Sequence, residues 1–76
     1  MQFNLMMRYV ADPILTFNAN NWDEAYDIAI KHAGMSHGCD IDAVSNDVSF
    51  MWDEVGDQRI NEYQLIADDA NLLPWE

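Results

Sequence analysis

Basic residues, cysteine and long apolar runs are what this 76-residue sequence has least of. It has 3 Lys and Arg against 14 Asp and Glu, a formal net charge of −11 and a pI near 4.1. Neutralising nucleic-acid phosphates needs clustered cations, and Arg8, Lys31 and Arg59 are isolated along the chain. We therefore expect no direct binding to nucleic acid and, for the same reason, none to an anionic membrane.

Cys39 is the only cysteine, so the chain has no internal disulfide and no sign of an oxidising compartment. No apolar run approaches the roughly 20 residues of a transmembrane helix, and the N-terminus lacks a basic leader followed by an apolar core. With half of its residues hydrophobic, the chain should fold. We expect a soluble cytoplasmic protein with one domain over residues 1–76.

Residues 20–34 carry the strongest local signals, which predict a helix. Asn21 is a preferred N-cap residue, Glu24 lies three residues later, where its carboxylate can reach back to the cap, and Gly34 can end the helix in a left-handed conformation. The helical period separates a packing face from an acidic one. The packing face holds Trp22, Ala25, Tyr26, Ala29 and Ala33, and the opposite face holds Asp23, Glu24, Asp27 and Lys31.

Alternating apolar residues predict strands at residues 2–10, 14–19 and 48–52, the first two joined in a hairpin through Pro13. Residues 59–67 fit a strand or a helix, and we favour a strand because a Gly56-Asp57 turn precedes them. Residues 41–44 give only a weak strand signal. The prediction is a two-layer α+β domain in which one helix packs on one face of an antiparallel β-β-α-β-β sheet, whose other face is exposed or used for self-association.

Metal-ligating and nucleophilic residue types occur, but their spacing matches no strong template. A metal site could be drawn from His32, His37, Cys39, Asp40 and Asp42, which lack the second cysteine of common zinc motifs. His37 near Cys39 is the only hint of a nucleophile and base, and a loop of so small a domain is a poor place to desolvate them. We expect no catalytic site, no metal and no cofactor.

The distribution of carboxylates suggests a binding surface. Carboxylates spaced several Å apart on a rigid domain can imitate nucleic-acid phosphates and compete for a basic groove. The alternative is that the charge only keeps the protein soluble. Trp75 is either part of the core or an exposed aromatic anchor at the interface. The candidate acidic residues are Asp23, Glu24, Asp27, Asp40, Asp42, Asp53, Glu54, Asp57, Asp68 and Asp69.

In size, in charge and in lacking a catalytic motif, the chain resembles the small acidic anti-CRISPR and anti-restriction proteins of bacteriophages. The β-β-α-β-β pattern, in which Phe17-Asn18-Ala19-Asn20-Asn21-Trp22-Asp23-Glu24-Ala25 leads into one helix, adds to the resemblance. Such proteins share no sequence motif, so no functional residue is transferred. The resemblance implies a stoichiometric inhibitor from a phage or mobile element that acts in the bacterial host cytoplasm. Its partner would be a CRISPR effector or restriction enzyme whose nucleic-acid site it blocks.

A second interpretation stays open beside this one. The protein could be a small acidic structural or adaptor protein that forms a homodimer through a free sheet edge or the open sheet face. Its charge would then serve only solubility.

Overall fold

The computed structural model describes residues 1–8, 10 and 12–67. Five antiparallel strands form one sheet in the order β2-β1-β5-β4-β3, with one helix. The predicted α+β class with an antiparallel sheet and a single helix is confirmed. The elements are β1 (Gln2–Met7), β2 (Leu15–Asn18), α1 (Trp22–Ala33), β3 (Asp40–Ala43), β4 (Val48–Val55) and β5 (Gln58–Ala67).

The predicted β-β-α-β-β order is wrong by one strand, because residues 40–43 form β3 between α1 and β4. Aspartate is depleted in strands, so the local sequence of β3 favours this conformation only weakly. Pairing with β4 supplies what the local sequence lacks: Asp40 lies opposite Trp52 and Ala43 opposite Ser49. β3 is therefore a strand that tertiary pairing creates at the edge of the sheet.

The N-cap at Asn21 and the C-cap at Gly34 are confirmed, whereas Glu24 reaches back to Asn20 and not to the N–H of the cap residue. Asn21 is the N-cap, and its side-chain oxygen accepts a hydrogen bond of 2.9 Å from the backbone N–H of Glu24. The Glu24 carboxylate in turn accepts one of 3.1 Å from the side-chain amide of Asn20. Gly34 ends the helix at φ 71°, and its N–H donates to the carbonyl of Ile30. With 12 residues, α1 is too short to cross a membrane, and no other helix occurs in the described ranges.

The strand favoured for residues 59–67 is confirmed and pairs with both β1 and β4. Gly56 and Asp57 form the tight turn before it, with Gly56 at φ 62°. The pairing shifts by one residue between Met51 and Asp53, where Asn61 adopts φ 51°. This bulge increases the local twist at the turn end of the β4–β5 hairpin.

The main core lies between α1 and the sheet. Ala25 and Ala29 of the helix are fully buried, and their small side chains let the helix lie close to the strands. Aromatic rings extend this core toward β2: Phe3 stacks on Phe17 at 5.8 Å and meets Trp22 edge-on at 4.9 Å between ring centroids. The largest fully buried side chains here are Phe3, Leu5, Met51 and Leu65.

A second, smaller apolar cluster lies on the face of the sheet opposite the helix. Met6, Val48 and Ile66 are 6%, 2% and 3% exposed, and Phe50 packs against them. We expected this face to be exposed or used for self-association; exposure is wrong at its centre, and self-association through it stays a prediction. The reason is that Met6 of β1, Ile66 of β5 and two alternate residues of β4, Val48 and Phe50, bring apolar side chains together on this face, where Val48 pairs with Ile66.

Candidate protein-binding surface

The predicted acidic residues of α1 divide into two free carboxylates and one that serves the fold. Asp23 and Asp27 are exposed on the outer side of the helix. Glu24 is half-buried and engaged with Asn20 at the helix start. Carboxylates in the first turn of a helix also interact favourably with the helix dipole. Asp23 and Asp27 are therefore the helix residues best placed for a partner.

Asp40 and Asp42 lie on β3 and face the side of the sheet away from the helix. The pairing register places them directly opposite Trp52 and Phe50, and paired residues share a face. Both are exposed. Since they are two residues apart on one strand, their Cα atoms are separated by about 6.8 Å. β3 thus presents two carboxylates in a fixed row.

The carboxylates at the turn end of the β4–β5 hairpin differ in exposure and in their hydrogen bonds within the fold. Asp53 accepts hydrogen bonds from the Ser36 hydroxyl at 3.1 Å and from the Asn61 side-chain amide at 3.5 Å, so it stabilises the bulge and the loop after α1. Glu54 is exposed and accepts a hydrogen bond of 3.2 Å from the indole N–H of Trp52. Asp57 is exposed in the turn. Glu54 and Asp57 can therefore meet a partner, whereas Asp53 is occupied within the fold.

These acidic residues do not form one continuous surface. Asp23 and Asp27 lie on the outer side of the helix layer, while Asp40, Asp42 and Glu54 lie on the opposite face of the sheet. A flat partner cannot cover both groups at once. We name the two helix residues the helix set (Asp23 and Asp27) and the two β3 residues the strand set (Asp40 and Asp42).

The basic residues compensate little of this charge. The guanidinium of Arg8 bonds both carboxylate oxygens of Glu62 at 2.7 Å. The guanidinium of Arg59 lies 4.1 Å from the ring centroid of Trp52, a cation–π contact. Lys31 is exposed in the last turn of α1, where it complements the helix dipole. The exposed carboxylates therefore keep a strong negative field.

The residues considered for metal binding or nucleophilic chemistry are spread over the last turn of α1 (His32), the loop after it (His37 and Cys39) and β3 (Asp40 and Asp42). His32 and His37 are exposed and Cys39 is half-buried. Burial, with smaller contributions from Asp53 and Asp40, raises the pKa of the Cys39 thiol, so it stays protonated and weakly nucleophilic at neutral pH. Within the described ranges, no three His, Cys, Asp or Glu side chains come together as a metal site would require.

Three predicted residues, Asp68, Asp69 and Trp75, lie outside the described residues, as does the choice between core and anchor for Trp75. Sequence reasoning missed the contact between Arg59 and Trp52, and it found only a weak strand signal at residues 41–44, where the structure has the edge strand β3. The alternation of Asp40, Ile41, Asp42 and Ala43 was the one signal that could have indicated that strand.

Comparisons with known proteins identify no relative: no family, no curated protein and no solved structure matches the chain.

Proposed function

We propose that this protein is a non-catalytic inhibitor, from a phage or mobile element, that binds the basic nucleic-acid site of a CRISPR effector or restriction enzyme as an acidic mimic. The observation that carries the proposal is the exposure of uncompensated carboxylates on regular structure. Asp23 and Asp27 are held on a capped helix, and Asp40 and Asp42 on a paired strand. Charges held on rigid elements pay little ordering entropy when a partner binds.

The mimic engages the partner through long-range attraction and then through one acidic set. A net charge of −11 steers the protein toward a basic groove and raises the association rate at low salt. Because the helix set and the strand set face opposite sides, one of them enters the groove and the other stays in solvent. Binding must then weaken as salt rises, because charge attraction supplies the encounter.

The test is inhibition of DNA cleavage by purified CRISPR effector complexes and restriction enzymes, with competition by DNA and with titration to stoichiometry. The helix-set variant Asp23→Lys with Asp27→Lys and the strand-set variant Asp40→Lys with Asp42→Lys are compared with a control of equal charge change. The control variant is Asp12→Lys with Asp47→Lys, at two exposed positions outside both sets.

We expect one of the two sets to lose inhibition by about tenfold or more while the control loses less, since removing close charge pairs costs more than changing the overall field. Pull-down from bacterial lysate at low and high salt, read by mass spectrometry, extends the search beyond the purified enzymes. Unchanged partner binding and unchanged salt dependence in both sets would refute the mimic.

The neutral β2 edge favours the second candidate, a self-associating structural or adaptor protein. Thr16 and Asn18 of β2 are exposed and uncharged, so a second copy could pair there without charge repulsion. A dimer mass in solution that a Thr16→Pro variant abolishes, together with indifference to basic proteins, would support this candidate. A monomer would exclude it.

A further inference from the structure

β3 is an open edge of the sheet. It is the last strand in the order β2-β1-β5-β4-β3, and β4 is the strand that it pairs with among the described residues. Each residue of β3 is exposed. An edge strand of this kind offers backbone N–H and C=O groups to an added strand.

Along β3, every second residue hydrogen-bonds with β4, and this alternation identifies which backbone groups face outward. The N–H of Val44 donates to the carbonyl of Val48 at 3.1 Å, so residues 44, 42 and 40 are the ones that bond to β4. The alternate residues, Ile41 and Ala43, then direct their N–H and C=O groups away from the sheet. Two residues can therefore form a ladder with an incoming strand.

The two sides of this edge differ in chemistry. Ile41 and Ala43 lie opposite Met51 and Ser49, on the helix face of the sheet. Asp40 and Asp42 lie on the other face. An added strand would thus present one row of side chains to an apolar pair and the alternate row to two carboxylates.

We infer that the β3 edge is a docking site for an extended segment of the partner in which lysine or arginine alternates with apolar residues, added as a further antiparallel strand. The inference rests on the proposed function, because it specifies how the basic partner is engaged. In this pairing the apolar residues hydrogen-bond with Ile41 and Ala43, and the basic residues lie beside Asp40 and Asp42.

Charge opposes pairing with a second copy of this chain in the registers that overlap the two β3 strands most. Antiparallel pairing of two β3 strands about Ile41 would place Asp40 of each copy beside Asp42 of the other. Like charges opposite each other destabilise a sheet. The alternation that recruits a basic strand therefore also opposes self-pairing in these registers, which is one way that natural proteins protect edge strands.

The probe for the test is a short, end-capped peptide that alternates lysine and valine. Its affinity is measured by fluorescence anisotropy, and its site is mapped by NMR through amide shifts and slowed hydrogen exchange. We expect the Ile41 and Ala43 amides to gain protection. N-methylation of the valines removes the donors that face β3 and should weaken binding by about tenfold or more, since two hydrogen bonds are lost.

Matched variants separate strand pairing from charge attraction. Ile41→Pro removes an outward N–H without removing a β4 hydrogen bond and should abolish peptide protection of the edge, whereas Thr16→Pro at the β2 edge should leave it intact. The Asp40→Lys and Asp42→Lys double variant should reject the lysine peptide and accept a peptide that alternates glutamate and valine.

Equal affinity for the N-methylated peptide, or shifts confined to the helix set, would overturn the inference. If Ile41→Pro retains full inhibition of the effector while the helix-set variant loses it, the inference fails and the proposed function stands. If the peptide protects Ile41 and Ala43 but no effector or restriction enzyme is inhibited, the proposed function fails and β3 remains an acceptor of basic strands.

Discussion

The two edges of the sheet have four residues each but are held in different ways. On β2, Leu15 and Phe17 pack into the main core, and Phe17 stacks on Phe3. On β3, no residue is buried, and the strand is held by its hydrogen bonds to β4. The β2 edge thus adds apolar side chains in the core to its backbone pairing, whereas the β3 edge has backbone pairing and no buried side chain.

This difference separates the edge whose side chains stabilise the fold from the edge whose side chains are available to a partner. A strand whose side chains fill the core cannot change its contacts without a loss of stability, whereas a strand with four exposed side chains can vary in chemistry at little cost. The acidic residues of β3 occupy such positions. The structural role of the sheet and its proposed binding role therefore lie at opposite edges.

The largest expected effect tests the anchoring itself. Phe17→Ala should lower the free energy of unfolding by about 2–3 kcal/mol, because a partly buried ring is lost from a stacked aromatic pair. Ile41→Ala on β3 should cost about 0.5 kcal/mol or less. Urea denaturation followed by circular dichroism measures both. Equal losses at the two edges would contradict the comparison.

A smaller loss of stability is expected when a contact between the helix and β4, on the β3 side of the sheet, is removed. The hydroxyls of Tyr26 and Ser49 form a hydrogen bond of 2.7 Å that joins α1 to β4, the neighbour of β3. Tyr26→Phe should cost about 1 kcal/mol, because the hydroxyl of the buried Ser49 loses its partner. Amide exchange should then accelerate in β4 and β3 more than in β2.

The control for this contact is the double variant Tyr26→Phe with Ser49→Ala. Removing both hydroxyls leaves no orphaned group, so the second substitution should cost less in the Tyr26→Phe background than alone. Additive costs would mean that the two hydroxyls do not interact.

The smallest effect concerns the thiol at the start of β3. Burial first, then Asp53 and Asp40, raise the pKa of Cys39, so its alkylation midpoint should lie above that of an unstructured thiol. Asp40→Asn should lower this midpoint without unfolding the protein. A midpoint that does not respond would mean that Asp40 exerts no field on the thiol.

The same shift has a defined consequence for stability. A pKa raised in the folded state means that the folded protein holds the thiol proton more tightly than the unfolded chain does. The contribution of this proton to the free energy of unfolding is complete below the unfolded thiol pKa of about 8.5. It is lost as the pH rises through the pKa of the folded protein. Replacing Cys39 with serine should flatten the alkaline side of the stability profile.

Local sequence was enough to predict the helix and most of the sheet. Asn21, Glu24 and Gly34 each act on residues within about one helical turn, so the start and end of α1 could be derived from their chemistry alone. The alternation of side chains in β1, β2, β4 and β5 is likewise a pattern among near neighbours in the chain, so it could be recognised without knowing the fold. The two-residue turn at Gly56 and Asp57 indicated which strands are joined.

The candidate site was predictable only in part. Composition identified the carboxylates, and the cap explained why Glu24 is occupied. That Asp53 is held by Ser36 and Asn61 depends on contacts between residues 8 and 17 positions apart in the chain. No local pattern shows whether such a side chain meets a donor or solvent.

What the sequence by itself determined is therefore the set of elements with strong local signals and the excess of negative charge. Tertiary structure decided the existence of β3, the bulge at Asn61, the second apolar cluster and the side of the sheet on which each carboxylate lies. The physical reason is register: a shift of one residue in strand pairing moves a side chain to the opposite face. That register is set by contacts between distant parts of the chain.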